Sequence, residues 1–188
     1  MAVNFAAFPV AGWESYDPIA KPRAPAKTCP RMSFINDYKA KRGSYYHHAI
    51  DIFASPGSHA IAVDNGVMWQ HKDDPRGNFS YWKSGGWHAY LLSDQGYIYY
   101  YAHLLDHPVV RPGQRVRAGQ FIGQVGQSGN ADKTCPHLHF AAYVASEAGN
   151  KGRVANPYER LRETRRHANP VVPRLGGAFA IAALLLFL

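Results

Sequence analysis

The sequence predicts an all-β domain built from small antiparallel sheets and followed by one short helix. Three observations support this. Seventeen glycines and thirteen prolines in 188 residues supply many turns, and that density of breakers favours short strands over long helices. Between Met32 and Tyr143, apolar runs of strand length alternate with turn signals. No run in that region sustains the 3.6-residue period of an amphipathic helix.

The elements follow in order. Residues 1–30 lack the basic start of a signal peptide, and Glu14 and Asp17 interrupt what would be its apolar core. Prolines 18, 22, 25 and 30 make the second half of residues 1–31 an extended lead-in. His59 to Val63 and Gly66 to Gln70 flank Asp64-Asn65, which reads as a hairpin turn. Trp87 to Ser93 and Tyr97 to His103 flank Asp94-Gln95-Gly96, a second hairpin signal. Pro112-Gly113, Ala118-Gly119 and Gly126 mark turns around Val116 and Phe121-Ile122, and His137 to Val144 reads as a last apolar strand. Asn156 as N-cap and Pro157 as first helical residue open a helix over roughly residues 157–166. Residues 32–165 are thus expected to form one domain, and 166–188 a basic linker with an apolar tail.

Composition and charge narrow the function. At 46% hydrophobic residues the chain is globular rather than disordered. Two cysteines exclude a disulfide-dense miniprotein and a zinc site of four thiolates. The net charge is +8. Seven Lys/Arg against two Glu in residues 151–174 account for +5 of it, leaving +3 for the other 164 residues. A solvated basic helix and linker explains that excess. No RNP, zinc-finger or helix-turn-helix pattern accompanies it, so no nucleic-acid partner is expected. The final 13 residues, 176–188, are wholly apolar. As a helix they would reach roughly 20 Å, short of the ~30 Å hydrocarbon core. They are expected to contact a membrane as a tether; a truncated span and a partner-binding tail are the alternatives.

Histidine is the compositional outlier, with ten residues. Three segments concentrate them: His47-His48-Ala49-Ile50-Asp51, Tyr101-Ala102-His103-Leu104 and His137-Leu138-His139-Phe140. In a strand, His137 and His139 share a face about 6.6 Å apart, while Leu138 and Phe140 point into the core. Two imidazoles on an apolar strand are costly without partners; one can ligate a metal while the other moves protons. In a straight strand His47 and Asp51 would lie about 13 Å apart, so both can hold one ion only if the chain bends between them. Gly43-Ser44 and the polar run after it place His47 on a loop, with Asp51 at a strand start. Two histidines and a carboxylate with an open fourth position form the donor pattern of a catalytic zinc, and two further histidines remain for proton transfer. Tyr99 and Tyr101 share the period-2 face of His103, where they either line a groove or pack in the core.

H-x-x-x-D, Y-x-H-L and H-L-H-F in this order resemble the lysostaphin/LytM-type zinc metallopeptidases, which cut peptidoglycan peptides. Phe34-Ile35-Asn36-Asp37, Asp51-Ile52-Phe53-Ala54, residues 62–67, 112–120 and 126–131, and Asn156-Pro157-Tyr158 are similar to the family as well. The resemblance spans roughly residues 32–161. It implies a narrow groove over an antiparallel sheet, with zinc held by His47, Asp51 and His139 and flanked by the catalytic His103 and His137. It places Tyr38 near a transition-state tyrosine, although a structural role fits Tyr38 as well. Ala49 stands where the family has glycine, which predicts strain if φ is positive there. His59 stands at a Gly-Thr-Pro turn position.

The implied activity is zinc-dependent hydrolysis of peptide bonds in peptidoglycan at the cell envelope, by a monomer. The bound metal would activate a water, His137 or His103 would move its proton, and the other would help stabilise the oxyanion. The alternative is a non-catalytic relative that binds the wall or activates a partner hydrolase. In an oxidising envelope, Cys29 and Cys135 could form a disulfide tying the lead-in to the catalytic strand.

Overall fold

The computed structural model describes residues 5–11, 29, 32–70, 83–146 and 151–168. The described residues form twelve strands, one α-helix and a short 3-10 helix (Gly129–Ala131): β1 (Met32–Ser33), β2 (Lys41–Arg42), β3 (Tyr45–Tyr46), β4 (Ile50–Ala54), β5 (His59–Ile61), β6 (Gly66–Met68), β7 (Trp87–Ser93), β8 (Tyr97–Leu104), β9 (Arg115–Val116), β10 (Phe121–Gln124), β11 (His137–Ala145), β12 (Lys151–Ala155) and α1 (Tyr158–Ala168). An eight-stranded sheet runs β1-β4-β11-β8-β7-β6-β9, with β12 also pairing β11. Two small sheets, β10-β5 and β2-β3, complete the set, and every pairing is antiparallel.

The central strands sort their side chains by the period of the pleat. Ile50, Ile52, Tyr99, Tyr101, Leu138 and Phe140 all belong to the main core, each essentially unexposed. Burying side chains of this size stabilises by roughly 1.5–3 kcal/mol each before entropy is counted. Residues 5–11, which the sequence reading puts in the lead-in, join this core. Phe5 packs edge-on against Tyr99 and Phe140 at 5.5 and 5.6 Å, and Val10 bridges to Ala60. The opposite face carries Asp51, His137 and His139, with Tyr100 and Ala102 alongside.

The structure corrects some points of the sequence reading and decides others that it left open. Asp64-Asn65 is not a hairpin turn: β5 pairs β10 while β6 pairs β7 and β9. Asp64 instead accepts hydrogen bonds from Ser93 Oγ (2.6 Å) and the Asn65 N–H (2.8 Å), fixing a crossover between sheets. β12 is an additional strand, paired with the end of β11. Tyr99 and Tyr101 do not line the groove; both lie in the core and Tyr100 faces the groove. Ala49 is not strained: it is absent from the positive-φ residues and its buried methyl packs with Tyr100, Ala102 and Ala141. His59 begins β5, exposed, with its ring on Phe121 at 4.6 Å.

The second predicted hairpin, β7-β8, is present. So is the helix, where Asn156 Oδ1 caps the Tyr158 N–H at 3.0 Å. Cys29 and Cys135 form a disulfide with Cα atoms 5.3 Å apart. Among the described residues no helix is long and apolar enough to cross a membrane. The apolar residues 176–188 and most of the loop before Gly85 lie outside the described residues.

Candidate metal centre

The two-residue turn Gly43-Ser44 folds β2 back on β3, and backbone bonds Lys39 N to His47 O (2.6 Å) and His47 N to Ala40 O (2.9 Å) extend that ladder. This leaves His47 at the end of the hairpin. The chain then bends through residues 48–49 before entering β4. The bend supplies what the spacing required: His47 Nε2 and Asp51 Oδ1 are 3.2 Å apart. β11 lies beside β4 with His139 opposite Asp51, so His139 Nδ1 reaches Asp51 Oδ1 at 3.0 Å and His47 Nε2 at 3.1 Å.

Three donor atoms therefore form a nearly equilateral triangle. A tetrahedral ion with ligand bonds of ~2.0–2.1 Å has donors roughly 3.3 Å apart, so the triangle fits one ion. The chemistry of the donors argues the same way. His47 Nδ1 lies 3.0 Å from Asp37 Oδ2 and 3.2 Å from the Asp37 carbonyl oxygen. Oxygen atoms of these kinds can only accept, so Nδ1 carries a hydrogen, and loss of the Nε2 proton leaves a lone pair there. That lone pair converges with a carboxylate oxygen and a second imidazole nitrogen. In the metal-free chain imidazole protons bridge these atoms, and a metal cation could take their place.

Charge follows from this crowding. Burial disfavours the His47 imidazolium, but hydrogen bonds and charge from Asp37 and Asp51 outweigh it and push its pKa up to about 9. Burial would raise the Asp51 carboxyl, yet hydrogen bonds from His139 and His47 hold it well below the ordinary carboxylate range. Burial is the main reason His139 is pushed down.

His103 and His137 flank the triangle. Their ring centroids are 4.9 Å apart, and His103 is 5.6 Å from the His139 ring. His137 Nε2 lies 3.8 Å from Asp51 Oδ1. Each Nδ1 meets a backbone carbonyl: Ser128 O at 2.8 Å for His103 and Cys135 O at 2.7 Å for His137. A carbonyl accepts only, so both rings carry hydrogen on Nδ1 and present Nε2 as a lone pair. Burial, then the neighbouring His137 and His139, pull the His103 pKa down to about 4.

His103 reaches the groove because the strand breaks its alternation there. The β7-β8 register shifts between Trp87 and Ala89, and His103 has φ +61°. A non-glycine residue in the left-handed region is strained and is held by its surroundings. Here His103 N–H donates to Gly85 O (2.8 Å) and its carbonyl accepts from Gly126 N–H (3.0 Å). Ser128 can sit beneath it because Gly86 and Gly129 touch; a Cβ on Gly86 would lie 2.2 Å from Ser128 Oγ.

The five predicted side chains thus cluster together, and His47, His103 and His139 line a cleft of about 300 Å³ whose walls include Arg42, Tyr45, Ser84, Gly85 and Tyr100. Four of the five are buried and His139 is partly open to the cleft. Tyr38 is elsewhere: its ring packs on the core and against His48 at 6.1 Å. Sequence reasoning missed Asp37, Arg42 and Ser128 as partners of the site. Asp37 and Ser128 sit inside family-like segments, but nothing in those segments says which atoms they touch.

Comparison with known proteins identifies the family. Residues 45–157 match the model of Peptidase family M23. The L-Ala--D-Glu endopeptidase of Bacillus subtilis is 31% identical over 138 residues, covering 70% of this chain and 39% of that protein. The glycyl-glycine endopeptidase ALE-1 of Staphylococcus capitis is 29% identical over 146 residues, covering 72% of this chain and 38% of that protein. The chain therefore spans about two fifths of the length of these relatives. The catalytic domain of lysostaphin from Staphylococcus simulans superposes with a TM-score of 0.52 at 26% identity, covering 68% of this chain and 87% of that one. The chain belongs to peptidase family M23.

Proposed function

We propose that the chain is a zinc-dependent endopeptidase that hydrolyses peptide bonds of bacterial peptidoglycan, with His47, Asp51 and His139 as metal ligands and His103 and His137 as catalytic residues. The observation that carries this reading is the triangle of His47 Nε2, Asp51 Oδ1 and His139 Nδ1, all within 4.8 Å of one another. Its chemistry suits zinc: two imidazoles, one carboxylate and an open side toward the cleft. The M23 relatives named as endopeptidases support the reaction class. A retained set of all five side chains supports an enzyme over a non-catalytic wall binder.

Bound zinc would supply Lewis-acid polarisation of the scissile carbonyl and raise the acidity of water beside it. The remaining steps belong to the chain. The Nε2 lone pairs of His103 and His137 face the same space and can each accept a hydrogen from one attacking water. His137, whose Nε2 lies 3.8 Å from Asp51 Oδ1, takes the proton as the water adds to the carbonyl carbon. Once protonated, its Nε2 becomes a donor and delivers that proton to the leaving amine. Burial keeps His103 uncharged, so it aligns the water as an acceptor. The Ser128 and Cys135 carbonyls keep both rings in the tautomer this requires.

The chain acts at the cell envelope as a monomer in this reading, since one chain supplies every group. The Cys29–Cys135 disulfide fits an oxidising compartment. Digestion of purified peptidoglycan tests the reaction class: mass spectrometry should find new amino and carboxyl ends on peptides and intact glycan strands. Release of glycan fragments alone, or of no fragments by the zinc-loaded chain, would count against it.

A further inference from the structure

Asp37 and Arg42 stand directly behind the donor triangle. Asp37 lies in the segment between β1 and β2. Its Oδ2 accepts from His47 Nδ1 at 3.0 Å and from Arg42 at 2.9 Å, and its Oδ1 is 3.4 Å from the Asp51 backbone N–H. Arg42, the last residue of β2, also donates to Asp51 Oδ2 at 2.6 Å. Asp37 thus touches one member of the triangle directly and a second through Arg42.

Two consequences follow for a bound cation. A carboxylate on the far nitrogen of a ligating histidine fixes its tautomer and ring orientation and makes it a better donor. For Asp51, the two oxygens are divided: Oδ1 faces His47 and His139, while Oδ2 is taken by the guanidinium. A carboxylate so held offers one oxygen. With both oxygens free it could close on the ion and occupy the position the substrate carbonyl needs.

We propose that Asp37 and Arg42 are positioning residues of the metal site: Asp37 orients His47, and Arg42 restricts Asp51 to a single coordinating oxygen, keeping the fourth position open. The alternative is an ordinary partly exposed ion pair, which would leave metal binding untouched. The proposal rests on the zinc reading above, so the parent chain is measured first. One tightly bound zinc in the parent supports that reading; none would overturn both.

Zinc affinity is then measured by competition with a chromophoric chelator, with circular dichroism of the metal-free variants confirming an intact fold. Asp37→Ala should weaken zinc binding by about 10–100-fold. Asp37→Asn, whose side-chain oxygen still accepts from His47, should recover most of that loss. X-ray absorption at the zinc edge should show about one added oxygen ligand in Arg42→Ala and the parent pattern in Arg42→Lys. Parent-like affinity in Asp37→Ala would overturn the role of Asp37. An unchanged ligand count in Arg42→Ala would overturn that of Arg42.

Discussion

The site divides into two groups of imidazoles held in two different ways. His47 and His139 are held by charge: Asp37, Asp51 and, through them, Arg42. His103 and His137 are held by neutral backbone carbonyls. The difference suits the work proposed for each group. Carboxylates collect positive charge, which suits atoms that hold a cation. Carbonyls fix a tautomer without adding charge, which leaves each Nε2 as a hydrogen-bond acceptor.

Substitutions separate the two groups. His139→Ala removes one of three donors, and hydrolysis should fall by roughly 10⁴-fold or more together with loss of bound zinc. His103→Ala and His137→Ala should each lower kcat by about 10²–10⁴-fold while zinc content stays at the parent level. Equal loss of zinc in all three variants would erase the distinction.

Acidity separates them next. In the metal-free chain His47 has a pKa of about 9, above its unfolded value of 6.5. Zinc must displace that proton, so its affinity should rise roughly tenfold per pH unit up to about 9. Isothermal titration in buffers of different ionisation heat would count the released proton. The metal-free fold should show the opposite trend. Its stabilisation by protonated His47 is complete below pH 6.5 and is lost as pH rises through 9. His103, with a pKa of about 4, stays uncharged throughout this range.

The smallest expected effect concerns the backbone that supports His137. The disulfide closes 106 residues and anchors Cys135, whose carbonyl holds the ring. Cys29→Ser should cost about 2–5 kcal/mol of stability, read by denaturant unfolding, and only a few-fold in activity, because the carbonyl itself remains.

Much of this was legible in the sequence because pleated strands impose a period. His137 and His139 on one face, and Leu138 and Phe140 on the other, follow from it directly. Distance required the bend between His47 and Asp51 only on the condition that both hold one ion. Period-2 reasoning failed at β8, where the register shift and the left-handed His103 put that side chain on the face of Tyr100 rather than Tyr101. Asp64-Asn65 misled because its side-chain hydrogen bonds join two sheets instead of closing a hairpin. Asp37 and Arg42 were silent because a lone carboxylate and guanidinium have no period; only the folded β2-β3 hairpin brings them behind the triangle.

In the proposed function, one zinc in the His47–Asp51–His139 triangle makes this chain a peptidase. Titrating zinc into the metal-free chain while following cleavage of peptidoglycan peptides tests it most directly. Activity should rise in proportion to zinc and level off at one equivalent, and His139→Ala should remain inactive at that loading. Full activity without zinc, or an inert chain with one equivalent bound, would contradict it.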